Sequence, residues 1–189
     1  MFDTVLIAGL GLMGGSMAKT IKARTLSRVL GWNRTRATAE QALADGSIDA
    51  IATEALYKEA DLVIIGLYPQ ATVDWLLENM PKMKKGCVIV DMVGVKQFMV
   101  DHLEQAALDA GVHYVGGHPM AGREFSGLDY SLPTLFDGAS MIFVPTKSST
   151  ERVLEQLEAY FMSLGFGQTV RCTAQQHDHM IAFLSLIHI

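Results

Sequence analysis

The sequence predicts an α/β fold: a doubly wound, mostly parallel β-sheet with helices on both faces. Three observations predict it. Short β-branched or apolar runs alternate with amphipathic stretches of helical length, an order that right-handed crossovers turn into a parallel sheet. The 189 residues are 50% hydrophobic and only 19% charged, which excludes intrinsic disorder and suits a sheet buried on both faces. The first strand-like run passes directly into a glycine-rich turn and then a helix.

In chain order, Thr4–Ala8 is an apolar, β-branched run and opens the sheet. The helical stretch Met13–Ala23 returns the chain to a second strand, Arg28–Trp32. Helix Thr35–Ala44 precedes strand Leu62–Leu67, helix Gln70–Met80 precedes strand Val88–Asp91, and helix Lys96–Ala110 precedes strand Val112–Val115. Strand Ser140–Val144, helix Thr150–Leu164 and strand Gln168–Arg171 complete the alternation. One long irregular segment interrupts it. Pro119–Gly138 holds three Gly and two Pro with few periodic apolar positions, and an excursion of that length in a compact domain reads as a lid or binding loop.

Composition narrows the function. Fifteen basic against twenty acidic residues leave a net charge of −5, whereas a nucleic-acid binder carries a clustered basic face. No run of eighteen apolar residues exists to span a membrane, and Met1-Phe2-Asp3-Thr4 opens without a basic leader. Cys87 and Cys172 lie far apart in apolar stretches without metal-ligand spacing, as two buried free thiols would in a reducing compartment. The expectation is a cytoplasmic protein with a small-molecule ligand and no metal.

Gly9-Leu10-Gly11-Leu12-Met13-Gly14 sits between the first strand and the first helix. Gly9 permits the tight turn, Gly11 lets backbone approach a pyrophosphate, and Gly14 allows helix to pack on strand, while the helix N-terminus faces the anion. Strand before, helix after and a second strand ending at Trp32 make this a Rossmann-type dinucleotide site. An NAD site usually ends that second strand in an acidic residue. Here Asn33-Arg34-Thr35-Arg36 follows. A guanidinium at Arg34 could pair with a 2′-phosphate or stack on adenine, and Asn33 or Thr35 could instead only cap the next helix. NADP is favoured over NAD.

In an open parallel sheet, ligands bind beyond the carboxyl ends of the strands. Val115-Gly116-Gly117-His118-Pro119 places His118 there, behind two small residues that leave room for a nicotinamide ring. An imidazole titrating near pH 6.5 is a suitable proton acceptor beside a hydride transfer. His102, His113, His177, His179 and His188 have weaker claims from helical or terminal contexts.

The block Val115–Gly127, reading VGGHPMAGREFSG, closely resembles the signature of prephenate and arogenate dehydrogenases, and LFDGA at 135–139 and QHDHMIA at 176–182 resemble later blocks of that family. The resemblance covers residues 1–183. It implies that His118 is the catalytic base and that Arg123 and Glu124 line or gate the substrate pocket, with Lys96 as a further substrate contact. It also implies an oxidative decarboxylation in which His118 takes the proton of the ring C4 hydroxyl, hydride leaves C4 for the nicotinamide, and the ring carboxylate departs as carbon dioxide.

Two departures stand out. Where the family often carries serine in an Asp-x-x-Ser-x-Lys block, Asp91-Met92-Val93-Gly94-Val95-Lys96 has Gly94. The family's helical C-terminal domain, with its substrate-binding arginine and dimer contact, has no counterpart after Phe183. Residues 1–172 therefore read as a dinucleotide-binding domain, and 173–189 as the start of a truncated helical dimerisation domain. A helix over Thr173–Phe183 would expose Met180, Ile181 and Phe183, favouring self-association. The tail Leu184-Ser185-Leu186-Ile187-His188-Ile189 matches one translated frame of a transposon-end sequencing adapter and reads as library read-through.

Two other readings compete. A β-hydroxyacid dehydrogenase would share the glycine loop, yet needs a later lysine, and the last one here is Lys147 with no Lys-x-x-Asn following. A non-catalytic dinucleotide-binding module would have no need of His118 or the long loop.

Overall fold

The structure, a computed structural model, describes residues 2–187. One eight-stranded sheet runs in the order β3-β2-β1-β4-β5-β6-β7-β8. Its strands are β1 (Thr4–Ala8), β2 (Arg28–Trp32), β3 (Ala50–Ile51), β4 (Leu62–Ile65), β5 (Val88–Asp91), β6 (His113–Pro119), β7 (Ser140–Pro145) and β8 (Gln168–Arg171). The helices are α1 (Leu12–Arg24), α2 (Arg36–Ala44), α3 (Glu54–Tyr57), α4 (Pro69–Asn79), α5 (Gln97–Ala110), α6 (Glu151–Ser163) and α7 (Ala174–Ile187). Neighbouring strands are parallel except β6 and β7. The chain starts in the middle at β1, builds outward to β3, then crosses back to β4. That reversal opens a crevice at the carboxyl ends of β1 and β4.

The two-residue period of the strands fills both faces. Val5 and Ile7 join Met17 and Ile21 of α1 and Phe161 of α6 on one side. Leu6 and Ala8 join Val73 and Leu76 of α4 and Leu103 of α5 on the other. Every residue of β4 and β5 is buried, as a sheet covered on both faces requires. Each fully buried Leu or Ile contributes about 1.5–3 kcal/mol.

Three features differ from the sequence reading. β3 and α3 are present but span only two and four residues, too few to show a period. β6 does not stop at Val115 but continues to Pro119, because antiparallel β7 pairs Gly116 with Val144 and His118 with Ile142. Gly116-Gly117 carries no strand preference of its own, so the ladder overrides propensity. Gly117 is there for space: a Cβ would lie 2.3 Å from the Asp91 carbonyl oxygen. Finally, Cys87 is buried but Cys172 is only partly so. His188 and the end of the proposed adapter tail lie outside the described residues.

The segment after β6 is strapped to α1. Leu132 donates its N–H to Ser16 Oγ at 3.0 Å, and Thr20 Oγ1 donates to the Pro133 carbonyl at 3.0 Å. Leu128 is buried there, and a Cβ on Gly15 would meet its Cδ1 at 2.6 Å. No helix among the described residues is long and apolar enough to cross a membrane.

Candidate active site

At the β1–α1 junction Gly9 has φ of 93°, a conformation that favours glycine. Its N–H donates to the Trp32 carbonyl at 2.8 Å. The next amide, Leu10 N–H, donates to Asn33 Oδ1 at 2.9 Å, and Asn33 Nδ2 donates to the Thr35 carbonyl at 3.1 Å. Asn33 thus clamps the glycine loop to the β2–α2 turn. Gly14 permits contact of the helix with that loop, since a Cβ would lie 1.8 Å from the Gly9 carbonyl oxygen. Gly11 faces open space, with nothing within 4 Å of its Cβ position. No side chain caps α1, so its first amides are free to bind an anion with the helix dipole behind them.

A cavity of about 510 Å³ is lined by Gly9, Gly11, Trp32, Asn33, Arg34 and Thr35, with Ala71, Asp74, Trp75 and Glu78 of α4 opposite. A second, of about 250 Å³, is lined by Gly11, Leu12, Met13, Met92 and Phe125–Gly127. Both share Gly11, Gly66, Leu67 and Tyr68, so they form one groove across the glycine loop. Trp32 and Trp75 stand at one end of it. Trp75 Nε1 is buried without a hydrogen-bond partner.

At the carboxyl end of β6, His118 is partly buried and faces Gly94 of the β5–α5 turn. A Cβ on Gly94 would sit 3.7 Å from His118 Nε2 and Cε1. Among the described residues the His118 ring has one hydrogen bond, at Nδ1, and none at Nε2. On the ring's other side, Nδ1 lies 2.8 Å from His177 Nε2, and His177 Nδ1 lies 2.7 Å from Asp178 Oδ1. Burial is the main cause that pushes the His118 pKa from 6.5 down to about 4. The ring is neutral at pH 7, as a base must be. Sequence reasoning ranked His177 low because it sits in a helix, although it lies inside the QHDHMIA block.

Lys96 requires a correction. It does not present its side chain to a ligand: Lys96 and Asp91 are fully buried and form an ion pair. Asp91 also accepts from Val93 N–H at 2.8 Å and from Tyr114 Oη at 2.7 Å. Burial lowers the Lys96 pKa against the opposing pull of Asp91 and raises that of Tyr114 well above its ordinary value. This network braces the turn that carries Gly94. Arg123 and Glu124 are exposed on the loop, with the Arg123 guanidinium 5.4 Å over the Phe125 ring. Neither lines the groove, whereas their neighbours Phe125–Gly127 do. Arg34 is exposed and has no ion-pair partner among the described residues, unlike Arg36, which pairs with Glu40 at 2.8 Å.

Residues 17–168 match the family described as prephenate dehydrogenase, nucleotide-binding domain. The chain belongs to that family. The prephenate dehydrogenase of Bacillus subtilis (strain 168) is 33% identical over 189 residues, covering 98% of this chain and 50% of the relative. The chain thus spans about half the length of that relative. The crystal structure of Synechocystis arogenate dehydrogenase superposes with a TM-score of 0.87 at 26% identity, covering 96% of this chain and 64% of that one. Prephenate dehydrogenase from A. aeolicus, in complex with hydroxyphenyl propionate and NAD+, gives 0.85 at 26% identity, covering 100% and 71%. The Rossmann-type fold described above is therefore that of this family's nucleotide-binding domain, and His118 stands at the carboxyl end of its β6.

Proposed function

We propose that this chain provides the dinucleotide site and the catalytic base for oxidative decarboxylation of prephenate or arogenate, giving 4-hydroxyphenylpyruvate or tyrosine. One observation carries the reading: a histidine at the carboxyl end of β6, its pKa pushed down to about 4, whose only hydrogen bond is at Nδ1, leaving Nε2 beside Gly94 without a partner among the described residues. A bound nicotinamide dinucleotide supplies the hydride acceptor. Gly9, Gly11 and Gly14 with the amides of Leu12 and Met13 hold its pyrophosphate. His118 Nε2 takes the proton of the C4 hydroxyl as hydride leaves C4 for the dinucleotide, and loss of the ring carboxylate as carbon dioxide leaves an aromatic phenolate that takes the proton back to become the phenol. Aromatisation drives the step, so orientation and one base suffice. Arg123 and Glu124 act on the substrate as residues of a loop that gates the pocket, which their exposure suits.

NADP is the favoured cofactor, because Arg34 is unpaired at the cavity rim and Asn33 offers no repelling carboxylate. Asp74 and Glu78 across the cavity limit that preference. Further readings are a cytoplasmic location, a domain boundary near residue 172, and a homodimer formed through α7, where Met180 is 42% and Phe183 62% exposed. A net charge of −5 suits a small-molecule partner over nucleic acid.

Trp32 and Trp75, the two tryptophans of the chain, both line the adenosine end, so tryptophan fluorescence reports dinucleotide binding. Titration with NADP and NAD, then addition of prephenate or arogenate to the product of the whole gene, tests the reading. Quenching followed by dinucleotide reduction is expected. Binding with no turnover of either substrate would make this a binding module.

A further inference from the structure

Catalysis as described uses the Nε2 face of His118 and leaves its Nδ1 face, with His177 and Asp178 behind it, without a role. We propose that Asp178 and His177 of α7 form a relay that holds His118 in the Nδ1–H tautomer, so that Nε2 is bare toward Gly94. His177 is on this account a positioning residue. The inference rests on the reading of His118 as the base and specifies what prepares it.

A carboxylate only accepts, so the nitrogen facing Asp178 Oδ1 at 2.7 Å, His177 Nδ1, carries the hydrogen. In the relay His177 is neutral with this one N–H, which leaves its Nε2 as an acceptor. That atom lies 2.8 Å from His118 Nδ1, which must then donate. His118, also neutral, is left with its lone pair on Nε2. An unpartnered histidine prefers the opposite, Nε2–H tautomer, so the relay selects the form able to take a proton.

Asp178 is well placed to anchor this. It accepts N–H bonds from Lys96 at 2.7 Å and Gln97 at 2.9 Å, at the start of α5. Burial raises its pKa, but the Gln97 amide, the His177 ring and the Lys96 amide outweigh that and hold the carboxyl below its ordinary range. His177 is fully buried, so no water competes for its Nε2. The charged groups near the pair are Asp178 on α7 and Lys96 and Asp91 at the β5–α5 turn, the last two neutralising each other. If His177 gained a second proton, it would donate to His118 Nδ1 and move the His118 hydrogen to Nε2, disabling the base.

Histidine-¹⁵N NMR of this chain at neutral pH tests the relay without substrate, the His118 signals being those lost in His118→Asn. The expected spectrum shows Nδ1 protonated and Nε2 bare in both His118 and His177. In His177→Phe, His118 should revert to Nε2–H, with turnover falling roughly 10²–10⁴-fold, the worth of a positioned base, and dinucleotide affinity unchanged. His177→Gln, which retains an acceptor near the Nε2 position, should keep the tautomer and most of the turnover. An Nε2–H His118 in the unsubstituted chain, a doubly protonated His177, or an Nδ1–H His118 that survives in His177→Phe would overturn the proposal. Should the Phe variant not fold, the unsubstituted and Gln spectra still decide. A bare Nε2 in a protein that turns over neither substrate would leave the relay standing and refute the substrate reading.

Discussion

The two parts of the candidate site are built from different materials. The β1–α1 end is backbone: one six-residue run, Gly9–Gly14, supplies the turn, the approach and the amides. The β6 end is side chains brought together from afar. His118 and His177 are 59 residues apart in sequence, and the Asp178 bond to Lys96 spans 82. A contiguous backbone device works wherever its local conformation forms. A dispersed side-chain cluster exists only once the whole sheet has closed, so it should be the more easily lost.

The largest effect expected from this contrast is at Asp91. Asp91→Ala leaves Lys96 buried and unpaired, and removing one partner of a buried pair costs about 3–5 kcal/mol. Urea denaturation would show it, and Lys96→Met added to the same variant should recover much of the loss. A change within experimental error for Asp91→Ala would mean that the network does not brace the β6 end.

Gly14→Ala probes the other end. Its Cβ would fall 1.8 Å from a backbone oxygen that cannot swing aside, and overpacking of this kind costs about 3 kcal/mol. Dinucleotide quenching of tryptophan fluorescence should disappear while the His118 NMR signals stay unchanged. Loss of both together would erase the distinction between the two ends.

Arg34→Ala sharpens it further. If the guanidinium pairs with a 2′-phosphate, NADP affinity should fall by about 1.5–3 kcal/mol, roughly tenfold or more, with little change for NAD. Equal losses would indicate stacking on adenine instead.

The smallest effect is in pH. With the His118 pKa depressed from 6.5 to about 4, the acid limb of kcat/KM should lie well below pH 6.5 rather than at it. Stability shares the sign. Between pH about 4 and 6.5 the unfolded chain binds a proton that the folded one refuses, so this contribution is full above 6.5 and lost as pH falls through that window. An acid limb at 6.5 would show His118 to be ordinarily solvated.

The contrast also explains what could be read in advance. The glycine loop was legible because turn, approach and packing each demand glycine at a fixed spacing, with strand and helix flanking it. His118 was legible from its place after Gly116-Gly117 at a strand end. His177 was not: nothing local marks a helical histidine as the partner of one in a distant strand, and only the adjacent Asp178 hints at it. Lys96 was misplaced because a resemblance fixes a position in the chain and not the direction of a side chain, which here follows the buried Asp91 carboxylate. The strand ended too early at Val115 because the antiparallel neighbour that extends it, β7, lies beyond the long loop.

The most direct test of the account is turnover of His118→Asn beside its dinucleotide affinity. The asparagine keeps a polar side chain of similar size but cannot accept the proton as a base. Turnover of prephenate or arogenate by the product of the whole gene should drop roughly 10²–10⁴-fold, while dinucleotide affinity, held by Gly9–Gly14, stays the same. Near-normal turnover in that variant would contradict the account and place the base elsewhere.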